Sequence, residues 1–217
     1  RRAVLLGAAG GLGLALTSGC DSAPEDLDGS PVRVEKGTIS GAGIRDADWA
    51  LARPEGDEEV PLVLALHGQG GQAGDIIGRG LRVEDVLADL LDGGAAPFAI
   101  AAVTGGDTYW HPRDDGTDSG RLVTEHLVGR VKEHAVDTSR LGLIGWSMGG
   151  YGALRIAGDL GRERVAGVSA VSPALSHSWR DVPDVAFDDA ADYEEYGVAG
   201  RQRELRGIPV RLECGES

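Results

Sequence analysis

A serine at position 147 lies in a segment that could carry nucleophilic chemistry. Residues 145–149 read Gly-Trp-Ser-Met-Gly, after an apolar run at 141–144 and before a helix-compatible stretch that begins at residue 150. This order predicts a strand, a sharp turn and a helix, with the serine raised on the turn. Such a turn needs small residues two positions before and after the serine, because a Cβ there would collide with the adjoining strand or helix. We therefore predict that Ser147 is a nucleophile.

Glycine-rich chains can produce this pentapeptide by chance, and this chain has 35 glycines in 217 residues. The alternative interpretation is a strand-to-helix turn that holds an inert serine. Other segments of the same machinery must therefore be found before the motif indicates an enzyme.

A second glycine-rich segment follows an earlier strand-like run. The apolar residues 61–66 lead into residues 67–71, which read His-Gly-Gln-Gly-Gly. The anionic tetrahedral intermediate of a serine hydrolase needs two N–H donors, one from the residue after the nucleophile and one from the loop after an earlier strand. The main chains of Met148 and Gln69 fit these two roles.

Three neighbours of Gln69 are predicted to support this loop. Gly68 and Gly70 allow the backbone to approach a ligand closely. We interpret His67 as a structural residue that braces the loop rather than as a proton carrier, because the motif requires backbone donors from this loop.

Together these segments resemble the α/β-hydrolases of the secreted esterase kind, in the group of esterase D, feruloyl esterases and mycolyltransferases. The resemblance covers about residues 32–217 and rests on residues 66–71, on 137–150 and on the Val-Ser-Pro-Ala-Leu segment at 171–175. It implies an α/β fold with a mostly parallel sheet and helices on both faces. It also implies a serine carboxylesterase that forms an acyl-enzyme on Ser147.

The acid and the histidine of such a triad follow the nucleophile in this fold. The resemblance implies an acid just after the strand-like run at 210–214 and a histidine later still. We therefore expect both beyond Ser217, together with the last strand and helix of the domain. His177, which alone among the histidines follows Ser147, is interpreted as a surface or cap residue. The aspartates after it are interpreted as a solvated acidic face: Asp181, Asp184, Asp188, Asp189 and Asp192.

An aromatic pair lies in a loop that follows another strand-like run. Tyr109 and Trp110 belong to the segment 105–113, after the run that ends at Val103. Ligands of parallel sheets gather at the carboxyl ends of the strands. Because the pair stands among Gly, Asp and Pro residues rather than in a periodic segment, we predict that it binds the acyl or alcohol part of a substrate.

Strand-like and helix-like segments alternate along the chain, which predicts a mostly parallel sheet covered by helices. Strands are predicted at residues 32–36, 47–53, 61–66, 97–103, 140–145, 165–172 and 208–214. Helices are predicted at residues 82–91, 119–134, 148–160 and 198–206.

The first 20 residues have the layout of an export signal. The basic pair at 1–2 precedes an apolar run at 3–16 that is too short for a membrane span. Residues 17–20 read Thr-Ser-Gly-Cys and resemble a lipoprotein cleavage site, in which Cys20 becomes the lipidated first residue. Ordinary secretion with Cys20 near the cut is the alternative, and the twin-arginine and general routes both stay open. Residues 21–31 are expected to be a flexible tether.

The composition indicates one globular domain, with 41% hydrophobic and 26% charged residues. A formal net charge of −14 disfavours nucleic acid as a partner, because phosphates need a cationic surface. No Cys/His cluster has metal-ligand spacing, and we expect neither a metal nor another cofactor. The expected partners are a small-molecule or polymer-linked ester and, through Cys20, a membrane.

Two other functions stay open. The same machinery could transfer the acyl group to a sugar or lipid alcohol, as the mycolyltransferase-like relatives imply. A lipid-tethered binding protein could instead keep the fold without a triad. An acid and a histidine downstream of Cys214 would distinguish an enzyme from a binding protein.

Overall fold

A single sheet organises the part of the chain that this computed structural model describes, residues 31–215. Its strands are β1 (Val32–Gly41), β2 (Ile44–Pro54), β3 (Val60–Leu66), β4 (Ala99–Val103), β5 (Val136–Trp146), β6 (Val165–Val171) and β7 (Val210–Glu213). All seven strands predicted from the sequence are present, with ends that differ by a few residues. The predicted export signal at 1–20, with Cys20, and the tether at 21–31 apart from Pro31 lie outside the described residues.

The order of the strands is β1-β2-β4-β3-β5-β6-β7. The pairs β1–β2 and β2–β4 are antiparallel, whereas β4, β3, β5, β6 and β7 run parallel to one another. The carboxyl ends of these parallel strands therefore meet at one edge of the sheet, where α/β folds place their ligands. The predicted mostly parallel α/β sheet is confirmed.

Helices cover both faces of this sheet. They are α1 (Ala73–Ile76), α2 (Val83–Asp92), α3 (Ser119–Arg121), α4 (Val128–Val131), α5 (Met148–Leu160) and α6 (Ala190–Tyr196). A π-helical segment, Leu122–Leu127, joins α3 to α4, and a short 3₁₀ turn, Lys132–His134, follows, so the helix predicted at 119–134 is present as one mixed run. Alternate residues of β3 show the two faces: Leu62 and Leu64 pack in the cluster with α4 and α5, and Ala65 packs in the cluster with α1 and α2.

The helix predicted at 198–206 is wrong. Turns occupy this stretch, and Gly200 there has a positive φ of 88°, a backbone conformation that interrupts a helix. The helix of this region is α6, which lies in the acidic run instead. Its start is fixed by Asp189, whose carboxylate accepts the N–H groups of Ala191 and Asp192, both at 2.8 Å.

Within residues 31–215, no helix combines the length and the apolar character that a membrane span requires.

Candidate active site

Ser147 lies on the turn between β5 and α5, as the sequence predicts. Its side chain is exposed, and its backbone has φ 53° and ψ −120°, a conformation that a residue with a side chain rarely adopts. The N–H of Ser147 donates to the carbonyl of Val171 at 3.0 Å, and its carbonyl accepts from Tyr151 at 3.0 Å and from Ala174 at 2.9 Å. The unusual turn is thus held by the end of β6, by α5 and by the loop after β6.

The glycines on either side of Ser147 lie so close to other backbone atoms that a side chain would not fit. A Cβ on Gly145 would overlap the carbonyl of Gly149, and a Cβ on Gly149 would overlap the carbonyl of Leu66. A Cβ on Gly150 would stand 3.0 Å from Pro173. The steric reason for the spacing of the pentapeptide is therefore confirmed.

The two predicted N–H donors lie at the start of α5 and in the loop after β3. Met148 is the first residue of α5, and such helix-starting N–H groups have no partner inside their own helix. Gln69 is an exposed residue of the loop after β3. Within the described part of the chain, neither N–H makes a hydrogen bond. Met148 itself is buried and Gln69 is exposed. The role of the two N–H groups in binding an oxyanion stays a prediction.

Close backbone packing brings these two donor segments together. Gly149 packs on the carbonyl of Leu66, at the end of β3. Gly68 packs on Trp146, because a Cβ on Gly68 would lie 2.9 Å from the indole Nε1 and 3.4 Å from the carbonyl oxygen of that residue. The loop after β3 and the turn of Ser147 are therefore direct neighbours at the carboxyl edge of the sheet.

His67 is fully buried beneath this loop. Its Nδ1 lies 2.7 Å from the carbonyl oxygen of Gly68, and its Nε2 accepts the N–H of Gly105 at 2.9 Å. The two contacts require a neutral ring that is protonated on Nδ1. Burial lowers the pKa of His67 and favours the same neutral form. The interpretation of His67 as a brace agrees with these contacts.

Several solved structures have a fold similar to that of this chain. A ferulic acid esterase matches with a TM-score of 0.70 and 20% identity, over 87% of this chain and 80% of that one. An S-formylglutathione hydrolase from Agrobacterium tumefaciens matches with a TM-score of 0.64 and 17% identity, over 89% of each chain. The chain has the α/β-hydrolase fold.

A third similar structure is described as a protein that binds fluorophosphonates. It is FphF of Staphylococcus aureus, a fluorophosphonate-binding serine hydrolase, with a TM-score of 0.64 and 14% identity over 86% of this chain and 80% of that one. The sequence matches no protein-family model and no curated protein. The relationship to the α/β-hydrolases is therefore one of fold.

Tyr109 and Trp110 do not line the surface of the protein. Both rings are buried, Trp110 completely. Trp110 packs edge-on against His67, with ring centroids 4.9 Å apart, and Tyr109 packs against Tyr151 at 5.8 Å and Phe187 at 6.3 Å. The prediction that the pair contacts a substrate is corrected, because the rings fill the core beneath the site.

The backbone explains why these loop aromatics point inwards. Tyr109 and Trp110 have φ values of 56° and 57°, so the chain turns left-handed at both positions. Two glycines make room for the indole, since a Cβ on Gly105 or Gly152 would overlap the ring of Trp110. Composition alone suggested a loop at the surface, whereas this conformation directs the side chains into the fold.

Among residues 31–215, no base is hydrogen-bonded to Ser147. The Oγ of Ser147 makes no hydrogen bond there. His177 is exposed in the loop after β6, as predicted for a surface residue. His111, which the sequence analysis did not single out, is fully buried, and each ring nitrogen lies 2.9 Å from a backbone carbonyl, that of Pro112 or that of Ala186.

Three aspartates of the acidic run also make structural contacts, although Asp188 and Asp189 are exposed to solvent as predicted and Asp192 is partly buried. Asp188 accepts Nε and Nη2 of Arg113 at 3.0 and 2.7 Å and the N–H of Asp114 at 2.7 Å. These bonds lower the pKa of the Asp188 carboxyl, the Arg113 contact most. Asp189 caps α6, and Asp192 accepts the N–H of Asp188 at 2.8 Å. The run thereby fastens α6 to the loop after β4.

A large apolar groove lies on another part of the sheet. It measures about 840 Å³ and is lined by side chains of α2, β3, β5 and β6, on the face of the sheet opposite α5. Neither Ser147 nor any residue of the loop 67–71 lines it. The groove is therefore not part of the candidate active site.

Proposed function

We propose that this protein is an exported serine hydrolase that cleaves carboxylic esters through an acyl-enzyme on Ser147. One observation carries the proposal. An exposed serine stands in a rare backbone conformation on a strand-to-helix turn, directly beside a loop with an unpaired N–H. An inert serine would not require the glycines at 145 and 149 that make this turn possible.

The chemistry follows from these positions. Ser147 Oγ attacks the carbonyl carbon of the ester and loses its proton to a general base. The carbonyl oxygen becomes an anion that the N–H groups of Gln69 and Met148 stabilise, and each such donor is worth roughly 10²- to 10³-fold in rate. Collapse of the intermediate breaks the bond to the alcohol, which takes the proton from the base. Water then repeats the sequence and releases the acid.

The general base belongs to the same proposal. We propose that an acid and then a histidine, which the resemblance implies after β7, complete the triad. Two of the similar structures are described as a ferulic acid esterase and an S-formylglutathione hydrolase, which supports an ester or thioester substrate. Transfer of the acyl group to an alcohol instead of water remains the alternative.

The proposal is tested by active-site labelling. A fluorophosphonate probe incubated with the full-length gene product is expected to modify Ser147, because an activated serine attacks the phosphorus. Peptide mass spectrometry locates the label, and Ser139, an exposed serine near the other end of β5, is the internal control. Absence of label from Ser147 in the folded protein would contradict its role as an activated nucleophile.

We also propose that Cys20 is lipidated and anchors the protein to the outer face of the cytoplasmic membrane. On detergent phase partition of the protein from its native host, the wild type is expected in the detergent phase and Cys20→Ala in the aqueous phase. Cys214→Ala is the matched control, because Cys214 is a free, exposed cysteine at the end of β7. Recovery of the wild type in the aqueous phase would rule out the anchor.

A further inference from the structure

The loop that follows β4 makes three hydrogen bonds with the segment around Gln69. The N–H of Gly105 donates to His67 Nε2 at 2.9 Å, and the N–H of Gly70 donates to the carboxylate of Asp107 at 2.6 Å. Thr104 Oγ1 accepts the N–H of Ala73 at 3.1 Å, further along the chain. These contacts lie on both sides of Gln69, the predicted oxyanion donor.

The first contact controls the direction of the donor. The carbonyl of Gly68 and the N–H of Gln69 belong to one planar trans peptide, so they point in opposite directions. The carbonyl oxygen of Gly68 is held from one side by Nδ1 of His67 at 2.7 Å and by the N–H of Gly71 at 3.0 Å. The N–H of Gln69 is thereby aimed to the other side.

The contact with Asp107 controls the next peptide. Gly70 has a positive φ of 72°, and the position of an added Cβ there meets no atom within 4 Å. Nothing packs against this glycine, and glycine itself restricts the backbone least. Its hydrogen bond to the carboxylate of Asp107 therefore adds a constraint on the peptide between Gln69 and Gly70, beside the turn that the N–H of Gly71 closes on the carbonyl of Gly68.

We propose that Asp107 is a positioning residue for the oxyanion donor Gln69, an inference that rests on the proposed function. The carboxylate acts through its hydrogen bond and not through its charge, because a negative charge beside a developing oxyanion opposes that oxyanion. An asparagine can accept the same hydrogen bond without the charge. Geometry and charge can therefore be separated by substitution.

The test compares Asp107→Ala and Asp107→Asn in the full-length gene product. For p-nitrophenyl acetate hydrolysis, Asp107→Ala is expected to lower kcat by roughly 10²-fold, near the loss of one oxyanion donor, with little change in KM. Asp107→Asn is expected to restore kcat to near the wild-type value. Asp114→Ala is the matched control, because Asp114 is an exposed carboxylate of the same segment whose side chain does not reach the Gln69 loop.

A second measurement does not depend on turnover. Amide hydrogen exchange at Gly70 is expected to be faster in Asp107→Ala than in the wild type and in Asp107→Asn. The inference would be overturned if Asp107→Ala had a normal kcat or changed KM alone. It would also be overturned if Asp107→Asn had a kcat no higher than that of Asp107→Ala. If the wild type were neither labelled at Ser147 nor active, the proposed function itself would be overturned. If the wild type were active and substitution of Asp107 left kcat unchanged, this inference alone would be overturned.

Discussion

Ser147→Ala is expected to lower the kcat of p-nitrophenyl ester hydrolysis by about 10⁴- to 10⁶-fold in the full-length gene product. The substitution removes the atom that forms the acyl-enzyme and leaves the donors Gln69 and Met148 in place, so a small residual rate above that of water should remain. The side chain of Ser147 is exposed and makes no hydrogen bond within residues 31–215, so the melting temperature should change little. Steady-state kinetics and thermal unfolding measure the two quantities.

Ser172→Ala provides the comparison for this variant. Ser172 is also exposed, also has a positive φ, of 42°, and lies after the neighbouring strand β6. Its N–H donates to the carbonyl of Glu213, but no glycine lies two residues before or after it. Ser172→Ala should retain activity. If Ser147→Ala retained activity and Ser172→Ala lost it, the nucleophile would be wrongly assigned.

The turn of Ser147 could be predicted from the sequence because its residue pattern is local, although one of its steric constraints is not. The glycines at 145 and 149 are required by atoms only a few residues away or at the end of β3, and the pattern survives in five consecutive letters. The strands were predictable for a related reason. Buried parallel strands read as short apolar runs between turn residues, and β3 and β4 do so plainly.

The roles of the acidic run and of the helix near it could not be read in this way. Arg113 and Asp188 are 75 residues apart, and no spacing in the sequence indicates that they form an ion pair. The capping position of Asp189 was hidden among other acids, so a solvated face was the simpler interpretation. Contacts of long sequence separation decide both features.

The aromatic pair shows the same limit at the site itself. Tyr109 and Trp110 stand in a segment rich in Gly, Asp and Pro, which predicts a surface loop. Their positive φ values are tolerated only because the folded core receives both rings, and Gly152, far along the chain, leaves the space for one of them. Strain of this kind is visible in the structure and not in the letters.

Trp110→Ala is expected to lower the free energy of unfolding by about 3–5 kcal/mol, the usual cost of removing a large buried aromatic ring. The indole is completely buried, packs against His67 and fills the space beside Gly105 and Gly152. Its loss leaves a cavity directly under the His67 brace. Urea unfolding followed by circular dichroism measures the change.

Trp179→Ala separates this packing effect from the general loss of a tryptophan. Trp179 is only partly buried, in a short 3₁₀ turn (Trp179–Asp181), and its nearest aromatic partner is Tyr193 at 6.5 Å. The surface that Trp179 removes from water is smaller, so its replacement should cost clearly less stability than that of Trp110. If Trp110→Ala instead kept the unfolding midpoint of the wild type and changed the preference among acyl esters, the ring would contact substrate as the sequence predicted, and its burial beneath the site would have to be reversed when substrate binds.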